Sequence, residues 1–181
     1  MRRAELSIKD FVLASLLVGV GFVLHAVFPG ILGGMKPDFA LVMLFLVIIL
    51  IKDPRIVVMA GVITGILTAL TTSFPAGQIP NIVDKLVTTA FVLGLTRVVA
   101  KKAYIPIIGI LGTVVSGIVF LGTALTLTGL PASFLSLMIA VVLPATFINT
   151  IALGLLYPLA NRLYQMQEER LTNLVPPQSV K

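Results

Sequence analysis

No cysteine occurs in the chain, and only one histidine does. Disulfides, thiol nucleophiles and thiolate metal sites are thereby excluded. Tryptophan is absent as well. Charge is scarce: 11% of the 181 residues are charged and 58% are apolar, against about a quarter charged in an average soluble domain. Mean hydropathy is +1.12. A soluble fold of this size leaves much of its surface in water and could not hide so much apolar area. The expectation is an all-α integral membrane protein rather than a soluble enzyme. No zinc, haem or phosphate-loop pattern is present, so no cofactor is expected, and no base–nucleophile pair stands at compatible membrane depth for an enzyme. The net charge of +6 reads as basic loops beside a bilayer, with no need of nucleic acid.

Charges and helix breakers divide the chain into six apolar segments: 10–29, 37–51, 56–72, 82–99, 104–128 and 132–161. A hydrocarbon core of ~30 Å takes ~20 residues per helix, so six transmembrane helices fit. Pro37 is expected as the first residue of the second helix, and Pro144 as a kink in the sixth. Runs of continuous apolar residues, not alternating ones, argue against a transmembrane barrel. Arg2, Arg3, Lys9, Lys52, Arg55, Arg97, Lys101, Lys102, Arg162, Arg170 and Lys181 fall on one side of these spans, and only Lys36 and Lys85 on the other. The positive-inside rule then puts both termini in the cytoplasm, N-in and C-in. The flank Met1-Arg2-Arg3 is read as the start of a retained first helix, not a cleaved signal. The expected organisation is a six-helix transmembrane domain over 1–164 and a cytoplasmic tail over 165–181, multi-pass in a bacterial inner membrane. Gly61, Gly65 and Ala69 form a small-residue stripe suited to close helix packing.

Two runs are short: 13 uncharged residues separate Asp38 from Lys52, and 11 separate Lys85 from Arg97. At ~1.5 Å per residue they cover ~20 Å or less. With their basic ends fixed at the cytoplasmic face, Lys36, Asp38, Asp84 and Lys85 are drawn below the outer surface. Ionisable groups at that depth face a cavity or pair with one another, and two short helices entered from the same side mark a site open to that side. Two cations and two anions suit a zwitterion. Gln78 and Asn81 add amides, and Met35 and Phe74 add soft and aromatic walls. A structural reading stands beside each assignment. Asn81 and Asp84 have the spacing of a helix cap and its first-turn acid. Asp38 can serve as a first-turn acid. Asn149, the only amide within the apolar sixth segment, can be a ligand contact or packing glue, and His25 a proton relay or a hydrogen-bonded structural residue.

The words Gly34-Met35-Lys36-Pro37-Asp38 and Phe74-Pro75-Ala76-Gly77-Gln78-Ile79-Pro80-Asn81 resemble a small bacterial family of tryptophan transporters. The likeness extends through Ser116-Gly117-Ile118-Val119-Phe120 and Val142-Leu143-Pro144 to Tyr157-Pro158. That family resembles in turn the substrate-binding S components of energy-coupling-factor transporters, which are six-helix bundles. The resemblance implies L-tryptophan as substrate and uptake from outside. Lys36, with Lys85, would then hold the carboxylate, and Asp84 or Asp38 the ammonium. Gln78 or Asn149 would accept the indole N–H, and the loop at Gly33-Gly34 would act as a lid. Many S components dock on an energising module through an Ala-x-x-x-Ala stripe on the first helix. Here Ser15 with Gly19 is the nearest equivalent, and Ala14 faces Val18, which leaves an energising module or a homo-oligomer as alternative partners. The rival functions are a vitamin-binding S component and a non-transporting assembly subunit.

Overall fold

The computed structural model describes residues 7–29 and 37–174, which are helical with short connections and contain no strand. Among the described residues six main helices follow in order. They are α1 (Ile8–Val27), α2 (Phe39–Leu50), α3 (Pro54–Leu70) and α4 (Gln78–Leu95), then α5 (Tyr104–Leu127) with a π turn at Ile108–Gly112. The last, α6, joins Phe134–Leu137, a π turn at Met138–Val142 and Leu143–Leu174. By length and composition α1, α5 and α6 can each cross a membrane, while α2 and α3 are shorter apolar helices.

Local chemistry sets the helix starts. The Ser7 hydroxyl accepts from the Asp10 N–H at 3.3 Å, and the Asp38 carboxylate accepts from the Leu41 N–H at 3.0 Å. Asp38 is thus the cap of α2, and Pro37 precedes the cap instead of opening the helix as expected. Asp53 caps α3 ahead of Pro54, a proline position that wastes no hydrogen bond. Arg55 grips the same carboxylate, Nη2 to Oδ2 at 2.7 Å. This guanidinium hydrogen bond holds the Asp53 carboxyl below its ordinary range.

The start of α4 corrects the sequence reading. The helix begins at Gln78, not near Ile82, because Pro80 lies in the first turn, where its missing N–H would have had no partner. Gly77 is the cap and has no side chain to contribute. Asn81 is therefore no cap, and its Nδ2 donates back to the Gly77 carbonyl at 2.8 Å. Asp84 and Lys85 sit in the second turn of a helix, not at the end of a short one. The π turn at Met138–Val142 ends two residues before Pro144, whose absent N–H leaves the Ala140 carbonyl without its usual partner.

The short helix α2 lies at the centre of the bundle, packed by α1, α3 and α6. It is apolar and buried nearly all round, as a helix without a polar face must be. Its ~18 Å length is no defect, since it meets protein instead of lipid. The outer helices expose Val12, Leu16 and Val23 on α1, Val58, Ile63 and Ile66 on α3, and Phe147, Leu155 and Leu159 on α6. A face this apolar is unsuited to water and fits a multi-pass membrane protein.

The stripe of small residues lies where α3 meets α4. A Cβ at Gly61 would fall 3.0 Å from Thr89 Cβ, and one at Gly65 3.3 Å from Ile82 Cα, whereas one at Gly19 on α1 would meet nothing within 4 Å. Gly61→Ala should therefore lower the unfolding midpoint in detergent by the equivalent of about 1–3 kcal/mol, the usual cost of overpacking. Gly19→Ala should not, because a helical alanine is favoured over glycine. Equal midpoints for the two variants would disprove the close α3–α4 approach.

Candidate functional site

Helix α4 turns Asp84 and Lys85 inward, and both are 1% exposed. Lys85 Nζ lies 2.5 Å from Asp84 Oδ2 and 2.6 Å from Asp38 Oδ2. The Thr88 hydroxyl, one turn further along α4, donates to Asp84 Oδ1 at 2.9 Å. His25, near the end of α1, places Nδ1 3.5 Å from Asp38 Oδ1. An isolated buried ammonium would be prohibitively costly. This one is held by two carboxylates, the kind of pairing that makes burial tolerable. Two carboxylates thus share one ammonium, and the His25 ring stands beside the first of them. The two carboxylates differ in access: the Asp38 side chain is 20% exposed and that of Asp84 only 2%. Asp38 is the one open to a visitor.

These groups form one wall of a cavity of about 110 Å³, well above the ~10–15 Å³ that a single water needs. His25, Asp38, Asn81, Asp84 and Lys85 make its polar side; Leu41, Phe74, Phe120, Leu121, Val141 and Val142 make its apolar side. Thr113, Ser116 and Gly117 line it from α5. Phe74 reaches in from the α3–α4 loop and meets Phe120 edge to face, with ring centroids 5.2 Å apart. That loop turns sharply: Ala76 has φ of 54°, the left-handed region that side chains seldom enter, and the Gly77 N–H donates to the Phe74 carbonyl at 3.0 Å.

Of the residues expected from the sequence, Asp38, Phe74, Asn81, Asp84 and Lys85 come together in this cavity. Met35 and Lys36 lie outside the described residues, as do Gly33 and Gly34. Gln78 is exposed at the start of α4 and is not among the cavity residues. Asn149 is fully buried behind the wall, its Nδ2 3.5 Å from the Thr113 hydroxyl oxygen. It is not a lining residue. His25, the relay candidate, lines the cavity too, and the substrate-binding reading of the sequence misses Thr113, Ser116 and Phe120. The last three, with Gly117, follow the i, i+3, i+4, i+7 spacing of one helix face, a signal present in the sequence but common to every apolar helix.

Residues 7–165 match the family described as tryptophan transporter TrpP. The probable tryptophan transport protein of Clostridium acetobutylicum is 48% identical over 151 residues, covering 81% of this chain and 88% of that protein. The one from Bacillus subtilis is 45% identical over 154 residues, covering 83% and 90%. That of Clostridium perfringens is 38% identical over 167 residues, covering 85% and 92%. No solved structure matches the chain. On the breadth of these matches, the chain belongs to the TrpP family of tryptophan transporters.

Proposed function

We propose that this chain carries L-tryptophan across a bacterial inner membrane and binds the zwitterion in the cavity bounded by Asp38, Lys85, Phe74 and Phe120. The observation that carries the reading is the pairing, in one cavity, of two carboxylates around a single ammonium with an aromatic wall. Asp38 receives the substrate ammonium, because it is the carboxylate with room beside it. Asp84 is committed to Lys85 and Thr88 and acts as the fixed counter-charge of the lysine. Lys85, already held by two carboxylates, organises the site, and Lys36, two residues before Asp38, is left to meet the substrate carboxylate. Phe74 and Phe120 flank the indole, which gains from edge and offset ring contacts. Of the two expected acceptors of the indole N–H, neither Gln78 nor Asn149 lines the cavity.

The distribution of basic residues supports six spans with both ends in the cytoplasm. No nucleotide-binding motif stands in the sequence, so ATP coupling would need an energising module from another chain. A homo-oligomer working without one is the alternative.

The test uses the absence of tryptophan from the chain: added ligand is the only indole in the sample. Purified protein is expected to shift the emission of added tryptophan to the blue, as the ring enters an apolar pocket. The same ligand should raise the unfolding midpoint, since binding to the folded state alone adds about 2.7 kcal/mol at a hundredfold excess over Kd. Unshifted emission together with an unmoved midpoint would reject tryptophan as substrate.

A further inference from the structure

A second group of ionisable side chains closes the bundle at the other end of α1. His25 stands at the cavity, and Asp10 lies ~22 Å from it along the helix axis at ~1.5 Å per residue. Beside Asp10, Lys9 Nζ is 3.0 Å from Glu168 Oε1 on α6 and 3.8 Å from the centre of the Tyr164 ring. Tyr164 and Glu168 are one turn apart and share a face of α6. Tyr164 packs into the same core as Leu13, Leu50 and Ile51. Asp10 is 9% exposed, and its Oδ1 has no hydrogen-bond partner among the described residues. Helix α6 therefore touches both places: Val141 and Val142 line the cavity, and Tyr164 and Glu168 meet α1 at the far end.

Resting on the reading of this chain as a tryptophan carrier, we propose that Lys9, Tyr164 and Glu168, with Asp10 beneath them, form the gate at the end opposite the cavity. The gate is shut in this structure and opens to release substrate. A carrier exposes one site alternately to two sides, commonly by rocking helices against each other around it. A site filled from one end must be shut at the other by contacts that can come apart. These contacts have that character. The Glu168 side chain is 47% exposed and that of Lys9 11%, so water already reaches the carboxylate side of the pair. Asp10 Oδ1 is buried without a hydrogen-bond partner among the described residues, which is unfavourable, and gains hydration when the gate opens. The Lys85–Asp84 pair is the opposite case: both side chains are buried, so it stays assembled.

The chain has no cysteine, which makes a direct test simple. Lys9→Cys with Glu168→Cys would be bridged by a bifunctional methanethiosulfonate, which a reductant removes. In liposomes the bridged protein is expected to lose tryptophan uptake at least tenfold while it still binds tryptophan, and reduction should restore uptake. Undiminished uptake by the bridged form overturns the gate, and so does an equal loss of binding, which would mark the cluster as mere support. A second measurement needs no tryptophan and so separates the gate from the substrate assignment. Leu13→Cys places a thiol one turn inside the cluster, at a position 3% exposed. Adding Lys9→Ala and Glu168→Ala should speed its modification by a water-soluble maleimide several-fold. An unchanged rate also overturns the proposal.

Discussion

Lys85→Met should lower the stability of the protein by about 3–5 kcal/mol, the usual cost of removing one partner from a buried ion pair. Lys85 is the shared counter-charge of Asp38 and Asp84, at 2.6 and 2.5 Å. Without it, two carboxylates face each other where little water can reach. The Thr88 hydroxyl still serves Asp84, but a neutral donor does not balance a charge. Methionine matches the lysine stem in shape, so the loss would be electrostatic and not a cavity effect. A companion variant separates the two causes. Lys85→Met together with Asp84→Asn removes a buried negative charge along with the positive one, and is expected to be more stable than Lys85→Met alone. Unfolding in detergent without ligand measures both. A Lys85→Met protein that unfolds like the parent, or a double variant worse than the single one, would mean that the three groups are not coupled as the geometry has them.

Asp38→Asn should weaken tryptophan binding by about 2–5 kcal/mol, the cost of truncating a desolvated charge pair, which is thirtyfold or more in Kd. Asparagine is as good a helix cap as aspartate, so α2 keeps its start and the change is confined to charge. The fold should tolerate it, because Lys85 keeps Asp84 as a one-to-one partner. Ligand chemistry sharpens the test. Indole-3-propionate lacks the ammonium, so the parent protein should prefer tryptophan to it, and the variant should lose most of that preference. If Asp38→Asn retains the full preference, the ammonium is read elsewhere.

Membrane character and the number of helices are legible in the sequence because they depend on local composition and on runs of apolar residues. The span of α5 is legible almost to the residue, since basic residues and Gly129-Leu130-Pro131 bound it sharply. The start of α4 is not. Proline beside glycine reads as a loop, and only the course of the chain reveals that Pro80 occupies a first helical turn. The shortness of α2 is visible from Asp38 and Lys52, but its tolerance comes from its central position, which no local pattern encodes.

The candidate site divides in the same way. The charges at Asp38, Asp84 and Lys85 are conspicuous in an apolar chain, which is what singles them out. By itself the sequence also singles out Phe74 and Asn81, by their place in a distinctive loop word. What it leaves open is who pairs with whom. Lys85 bridges to an aspartate 47 positions away, and that contact exists only because α4 packs beside the start of α2. The same packing leaves Asp38 accessible and seals Asp84, so two chemically identical side chains differ in reach. It turns Gln78 outward, keeps Asn149 behind the wall, and brings His25, on α1, and Phe120, on α5, to one cavity. Burial and long-range pairing set the electrostatics of the site, and both are properties of the packed bundle, whereas helicity and membrane affinity are already present in each segment alone.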